Sequence, residues 1–116
     1  SSAMYDRSQL KRGTLEGCIL HIVGVQPAYG YEIVSRLAAF GFSEVAEGTI
    51  YPLLMRLEKK RMVEGEYRAS PFGPRRKCYS LTPEGRQQLE EFMACWRQTR
   101  QAVDTVLEWR GDDVEK

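Results

Sequence analysis

The chain has 116 residues, of which 42% are apolar and 28% are charged, and this composition predicts one soluble globular domain rather than a disordered chain. No apolar run approaches the ~18 residues that span a bilayer, and no basic-then-apolar leader opens the chain, so neither membrane insertion nor export is expected. Three widely spaced cysteines (Cys18, Cys78 and Cys95) fit a reducing compartment, and we expect a cytoplasmic protein. Residues 1–3, before Met4, are expected to remain from an expression vector.

The net charge of +1 conceals an uneven distribution of charge along the chain. Residues 1–55 carry four Lys or Arg against five Asp or Glu, residues 56–86 carry nine against four, and residues 87–116 carry four against seven. A uniformly basic coat is therefore excluded. The cationic middle segment predicts instead a local surface that faces phosphates.

The first predicted helix covers Arg7–Val25, because apolar residues recur there at helical spacing. Three glycines (Gly13, Gly17 and Gly24) reduce its regularity but would allow another helix to approach closely. A loop is expected to follow at Gln26–Gly30. The apolar stripe consists of Leu15, Cys18, Ile19, Ile22 and Val23.

Two further helices are predicted close together. The first covers Tyr31–Phe40, and a short connection leads to the second at Glu47–Met62. Pro52 is expected in the first turn of the second helix, where a missing N–H costs least. Helix, short link and helix form a helix-turn-helix, whose second helix enters the major groove of DNA. An amphipathic surface helix with no such role has the same local pattern. The apolar face consists of Ile50, Leu53, Leu54 and Leu57, and the polar face of Thr49, Tyr51, Arg56, Lys59 and Lys60.

After Met62 the apolar period changes to two, which predicts a strand with Tyr67 facing inward. Residues 70–74 are dense in turn formers, and Arg75–Leu81 returns as a second strand with Tyr79 on its inner face. A hairpin directly after such a helix is a wing. Its tip carries Arg75, Arg76 and Lys77, within reach of a phosphate backbone or the minor groove. An edge hairpin protected from aggregation by its charges is the alternative.

The last predicted helix begins with Thr82 as its cap and Pro83 at its first position, and runs to about Trp109. Its apolar residues form a seam of heptad spacing that is longer than a core of this size can cover. We therefore expect a homodimer in which this helix packs against its symmetry mate or against the mate's first helix. The alternative is that the seam only closes the core of its own chain. The seam contains Leu89, Phe92, Met93, Trp96, Thr99, Val103, Val106 and Leu107.

Four segments carry a family resemblance: LKRGTLEGCIL (Leu10–Leu20), YGYEI (Tyr29–Ile33), EGTIYPLLMRLEKK (Glu47–Lys60) and KCYSLTPEGRQQL (Lys77–Leu89). In their order and spacing they resemble the PadR family of bacterial transcriptional regulators. The single long C-terminal helix resembles the short form of that family, which includes multidrug-responsive repressors.

The resemblance implies a mainly α fold with a small β-wing, in which a winged helix-turn-helix at residues 5–82 and a dimerisation helix at residues 83–110 form one compact unit. It also implies a homodimer that represses transcription by binding an inverted-repeat operator in double-stranded DNA. Two residues depart from the family pattern. Arg61 replaces the usual glycine after the recognition helix, so a different exit is expected, and Ile50 replaces a leucine with little change in volume.

Carried over to this chain, the resemblance implies DNA contacts from the start of the recognition helix, its polar face and the wing. In multidrug-responsive relatives a tryptophan on the last helix stacks on planar ligands across the dimer axis, and Trp96 is the candidate here for binding a small aromatic or hydrophobic effector. Dimer packing without a ligand is the alternative role of Trp96. The expected DNA contacts are Thr49, Tyr51, Arg56, Lys59, Arg75, Arg76 and Lys77, and Tyr67 and Tyr79 are expected in the wing core. The expected dimer interface contains Leu15, Ile19, Ile22, Leu89, Phe92, Met93, Trp96, Val103, Val106 and Leu107.

Neither an enzyme nor a metal sensor is expected, and no cofactor is implied. The sequence shows no nucleophile–base pair and no glycine-rich phosphate loop. One histidine and three scattered cysteines give no metal-ligand spacing. Cys95 is expected to be a buried or half-buried structural thiol. A winged helix that binds only proteins is the alternative function, although such a module does not need the cationic middle segment.

Overall fold

The computed structural model of the protein describes residues 5–43, 45–71 and 73–112. The predicted vector remnant at residues 1–3 lies outside the described residues, as does Phe72 of the predicted turn. Within the described residues the chain forms five helices and a three-stranded antiparallel sheet, with strand order β1-β3-β2. In chain order the elements are α1 (Arg7–Arg12), α2 (Leu15–Val25), β1 (Ala28–Tyr29), α3 (Gly30–Ala39), α4 (Glu47–Lys59), β2 (Val63–Ser70), β3 (Gly73–Leu81) and α5 (Pro83–Glu108).

The single first helix that the sequence predicts is instead two helices, α1 and α2, interrupted at residues 13 and 14. Gly13 caps the end of α1, and the Thr14 hydroxyl donates a hydrogen bond of 2.7 Å to the carbonyl of Lys11. The hydroxyl thereby satisfies a carbonyl that a continuous helix would have bonded from its own backbone. The N–H of Thr14 donates to the same carbonyl at 3.0 Å, and α1 ends after six residues.

The predicted loop at residues 26–30 contains the short strand β1, which the sequence analysis missed. Ala28 pairs with Tyr79 and Tyr29 pairs with Cys78, so β1 covers one edge of β3. A strand of two residues is too short to show an alternating pattern in the sequence. Its pairing nevertheless fixes the start of α3 beside the wing, which is formed by β2 and β3.

The recognition helix α4 ends at Lys59, and Pro52 lies inside it rather than in its first turn as predicted. The helix exits through Arg61, whose φ of 64° is left-handed. The N–H of Arg61 donates to the carbonyl of Glu58 (3.0 Å), and the N–H of Met62 donates to the carbonyl of Leu57 (2.9 Å). These two bonds form a Schellman motif, the helix ending that glycine usually supplies. The different exit expected from Arg61 is therefore wrong.

One hydrophobic core lies between α2, α3, α4, the sheet and the start of α5. Helix α5 begins as predicted, because the Thr82 hydroxyl accepts a hydrogen bond of 2.9 Å from the N–H of Gly85. The same hydroxyl donates to the carbonyl of Arg61 at 2.6 Å, which ties α5 to the exit of α4. The main core residues are Leu15, Ile19, Leu20, Ile22, Val23, Ala28, Ile33, Leu37, Ile50, Leu54, Leu57, Val63, Tyr79 and Leu89.

Only the first part of α5 packs on the core. Leu89 is buried, Phe92 and Met93 are half-buried, and from Ala94 onward every residue of α5 is exposed. Gly17 on α2 lies directly under the Phe92 ring, so the close helix approach expected from the glycines is confirmed there. The helices of the described ranges are all too short or too polar to span a lipid bilayer.

Candidate nucleic-acid interface

The recognition helix α4 is held to the core by one face and offers the other face to solvent. Ile50, Leu54 and Leu57 are at most 2% exposed. Thr49 and Tyr51, in the first two turns, are exposed, as is Lys59 at the end of the helix. These are three of the residues that the sequence predicts to contact DNA, and the structure places them on the outward face.

Tyr51 leans against Gly30 at the start of α3. A Cβ atom at Gly30 would lie 2.5 Å from the Tyr51 ring, closer than side chains tolerate, so the bare backbone of Gly30 makes room for the ring. The start of α3 is itself fixed, since the N–H of Tyr29 donates a hydrogen bond of 2.9 Å to the Glu32 carboxylate. The packing of Tyr51 against Gly30 therefore fixes the position of its ring in the absence of DNA.

A shallow groove of about 180 Å³ lies between the start of α3, the recognition helix and the wing. We call it the tyrosine groove. Tyr29 and Tyr31 stack in it with ring centroids 5.9 Å apart. The sequence analysis gave no role to Gly30 or to these two tyrosines, although the YGYEI segment that carries them supports the family resemblance. The groove is lined by Tyr29, Gly30, Tyr31, Tyr51, Tyr67, Arg75, Arg76, Lys77 and Tyr79.

Aromatic rings order the three cations of the wing. Arg76 lies 5.3 Å from the centroid of Tyr31, whereas Arg75 and Lys77 lie 5.6 Å and 5.3 Å from that of Tyr67. Such cation–π contacts reduce the freedom of long side chains without neutralising their charge. Arg75 and Arg76 form no ion pair with any described residue, so their charges are available to a phosphate.

Tyr67 is 57% exposed, and the prediction that it lies in the wing core is wrong. The part of β2 that carries it extends beyond the core, and Val63 is the only buried residue of that strand. Tyr79 on β3 is buried as predicted, and its burial raises the pKa of the phenol. The inner residue of the wing is thus Tyr79, while Tyr67 holds cations at the surface.

Two predicted DNA contacts are paired with carboxylates instead of being free. Arg56 forms an ion pair with Glu16 on α2, whose Oε2 atom is buried and has no other partner among the described residues. Lys77 donates to both carboxylate oxygens of Glu58, at 3.1 and 3.3 Å, and this hydrogen bonding raises the pKa of Lys77. Neither pairing could be read from the sequence, because the partners lie far apart along the chain.

The predicted dimer interface separates into two groups. Leu15, Ile19, Ile22 and Leu89 are at most 7% exposed in the single chain, so they belong to its own core and have little surface for a second copy. Their place in a dimer interface stays a prediction. Trp96 is 43% exposed. Val103, Val106 and Leu107 are exposed on the same helix, while Phe92 and Met93 lie at the border of the core.

Cys95 is exposed, which contradicts its predicted burial. Cys78 is buried and Cys18 half-buried, and burial raises the pKa of the Cys18 thiol. Within the described part of the chain, no group of three His, Cys, Asp or Glu side chains is placed to hold a metal ion.

Comparison with known proteins agrees with this geometry. The family described as "Transcriptional regulator PadR-like family" matches residues 19–91. The crystal structure of a PadR-like transcriptional regulator from Bacillus cereus is 44% identical, covers 88% of this chain and 99% of its own, and superposes with a TM-score of 0.79. A PadR family transcriptional regulator from Eggerthella lenta is 35% identical, covers 88% of both chains and has a TM-score of 0.80. An uncharacterized protein from Lysinibacillus sphaericus is 32% identical over 104 residues, which is 88% of this chain and 95% of that protein. The chain therefore belongs to the PadR-like family, a family of DNA-binding transcriptional regulators and not of enzymes.

Proposed function

We propose that the protein is a repressor that binds an inverted-repeat operator as a homodimer. One observation carries the proposal: the outward face of α4 and the unpaired wing cations border the same groove, on a scaffold that holds both in place. In this proposal residues 5–82 bind DNA and residues 83–110 form the dimerisation helix. Binding to chromosomal DNA requires the cytoplasmic location predicted from the sequence.

Thr49 and Tyr51 would enter the major groove, since they occupy the exposed start of α4. Lys59, Arg75 and Arg76 would contact phosphates, which supply affinity and register rather than sequence recognition. Glu16 offsets the charge of Arg56, and Glu58 offsets that of Lys77. Their direct contribution to affinity is therefore smaller than that of Arg75 and Arg76.

The exposed part of α5 supports the homodimer. The helix has 26 residues and is about 39 Å long, and every residue of its second half is exposed. A row of exposed apolar residues on one helix is typical of an interface. Two copies joined along Trp96, Val103 and Val106 would present their recognition helices to two half-sites about 34 Å apart, one turn of DNA.

Fluorescence anisotropy with the DNA directly upstream of its own gene tests DNA binding. The wild type should bind this DNA more tightly than a scrambled duplex, and affinity should fall steeply with salt. Replacing Arg75 and Arg76 with Ala should weaken binding and reduce the slope of log K against log salt by about two per protomer.

The matched control replaces Arg97 on α5 and Arg110, just after that helix, with Ala, an equal change of charge away from the wing. It should leave the slope unchanged. An Arg75→Ala, Arg76→Ala variant with wild-type affinity and slope contradicts the wing contacts. Equal binding to the scrambled duplex would contradict a specific operator, and no binding to either duplex would favour the protein-interaction module.

Repression is tested with a reporter gene under the same upstream DNA. Expression of the regulator should lower the reporter signal, and the wing variant should restore it. A rise in signal on expression of the wild type would identify an activator.

We further propose that Trp96 binds a planar aromatic effector across the dimer axis. Its partial exposure in the middle of the apolar seam supports this, since two copies of the ring would face one another across the symmetry axis. Quenching of Trp96 fluorescence by planar cationic or phenolic compounds, with Trp109→Phe to remove the second signal, is the test. An unchanged signal across the panel leaves Trp96 as a packing residue.

A further inference from the structure

Lys77 does not point away from the wing, as a phosphate contact at the wing tip would. Its Nζ atom donates 3.1 and 3.3 Å hydrogen bonds to the two carboxylate oxygens of Glu58, near the end of α4. The side chains of Lys77 and Glu58 are 29% and 30% exposed, so the pair is more protected than an ordinary surface ion pair.

Gly65 on β2 provides the space through which the Lys77 side chain passes. A Cβ atom at Gly65 would lie 2.5 Å from Lys77 Cδ and 2.9 Å from Glu58 Oε2, so any larger residue would displace the pair. Lys77 also lies 5.3 Å from the ring centroid of Tyr67, its register partner across the hairpin. The lysine thus joins α4, β2 and β3 in one place.

The charge of Lys77 is already satisfied by this arrangement. A phosphate would compete with the Glu58 carboxylate for this ammonium group, because two of its three N–H donors already bond Glu58. Arg76 and Arg75, one and two residues earlier on β3, have no such carboxylate partner among the described residues. Among the three wing cations, Lys77 is therefore ion-paired, whereas Arg75 and Arg76 are not paired with any described carboxylate.

We propose that Glu58, Gly65 and Lys77 form a wing clamp, which sets the orientation of the wing relative to the recognition helix, so that Lys77 is a positioning residue and not a DNA contact. The inference rests on the proposed DNA binding. It implies that Arg75 and Arg76 reach phosphates in register with Thr49 and Tyr51 only while the clamp is closed.

Glu58→Gln separates the clamp from simple electrostatics, because the two predict opposite signs. Removing a negative charge beside the DNA surface should tighten binding if only charge matters. The clamp predicts several-fold weaker binding to the DNA directly upstream of the gene, with a reduced salt slope because Arg75 and Arg76 no longer reach phosphates in register. Glu64→Gln, the same change at an exposed carboxylate on β2, is the control and should not weaken binding.

A charge swap tests the role of Lys77 itself. Glu58→Lys combined with Lys77→Glu restores an ion pair and keeps the net charge. The clamp predicts that the double variant binds DNA more tightly than either single variant. A direct phosphate contact by Lys77 predicts no recovery, since the swap places a carboxylate at the DNA.

Amide hydrogen exchange of the free protein gives a measurement that does not depend on DNA. Glu58→Gln and Gly65→Ala should both accelerate exchange in the outer part of β2 and β3, and Glu64→Gln should not. If the wild type binds no DNA, the proposed function fails and exchange alone decides on the clamp. Unchanged exchange in Glu58→Gln, or tighter DNA binding by it, overturns the wing clamp.

Discussion

At the scale of single residues, Arg61 shows how the fold can override a local preference. Its left-handed φ of 64° is a conformation that costs an L-residue about 1–2 kcal/mol relative to the right-handed one. The chain accepts this cost because the Schellman hydrogen bonds and the contact from Thr82 fix the exit of α4. The resemblance identifies position 61 as unusual because it lacks glycine. The local sequence could not show whether the Schellman ending or the right-handed preference of arginine would determine its conformation.

Arg61→Gly should therefore raise the free energy of unfolding by about 1 kcal/mol, since glycine adopts this conformation without strain. Urea denaturation followed by circular dichroism measures the change. Lys60→Gly is the matched control: its φ of −83° is not left-handed, so glycine there gives only added freedom to the unfolded chain and should destabilise by up to about 1 kcal/mol. Equal effects of the two substitutions would refute the strain at Arg61.

Gly30 is a second residue whose role depends on a tertiary contact, because the Tyr51 ring packs against its backbone. Gly30→Ala should displace the Tyr51 ring and weaken binding to the upstream DNA several-fold, with little change in the thermal midpoint because the ring moves toward solvent. Anisotropy and thermal unfolding measure the two effects. Gly13→Ala, where an added Cβ meets nothing within 4 Å, is the control and should leave affinity unchanged. Wild-type affinity in Gly30→Ala would show that the packing of Tyr51 against Gly30 does not contribute to DNA binding.

At the scale of elements, the sequence predicts those parts whose signals are local. Helix α5 begins at Thr82 and Pro83 because the cap and the first position each have a preferred residue type. The two-residue strand β1 has no such signal, since the strand that it pairs with, β3, follows some fifty residues later. Tyr67 was placed on the wrong side because alternation shows two faces but cannot show where the core ends.

The same limit applies to the candidate site. The basic run at Arg75 and Arg76 is visible in the sequence, and their placement at the wing follows from the hairpin. The pairing of Arg56 with Glu16 and of Lys77 with Glu58 depends on tertiary contacts between helices and strands. Sequence reasoning therefore found the cations but could not distinguish free charges from paired ones.

The contact between α2 and α5 predicts a cost for any side chain at Gly17. Gly17→Ala should lower the free energy of unfolding by about 1–3 kcal/mol, because its Cβ would overlap the half-buried Phe92 ring. Chemical denaturation measures the loss. Gly13→Ala again serves as the control, and adding Phe92→Leu to Gly17→Ala should recover part of the stability. If Gly17→Ala matches the wild type, the two helices do not approach as closely as the structure shows.

At the scale of the whole molecule, the chain is elongated, with extents of 66 × 38 × 20 Å, and the second half of α5 is exposed. In the proposed homodimer, Val103→Glu with Val106→Glu places charge inside the seam and should shift the protein to monomer in analytical ultracentrifugation. Binding to the inverted-repeat operator should weaken as well, since the DNA-binding part of a single protomer makes few contacts on its own. Gln98→Glu with Thr105→Glu adds the same charge on the outer side of α5 and should remain dimeric. A dimer that survives the seam variant would place the interface elsewhere.

The start of α4 has a consequence for how the protein adapts to its partner. Among the described residues no side chain caps this helix, and Pro52, which has no N–H, leaves the carbonyl of Gly48 without its helical donor. The first turn is thus joined to the rest of α4 by fewer hydrogen bonds, while Ile50, Leu54 and Leu57 hold the remainder in the core. Local opening of this turn needs much less free energy than global unfolding. In the proposed DNA complex, Thr49 would therefore adjust to different base pairs by a movement of this turn, while the Tyr51 ring stays packed against Gly30.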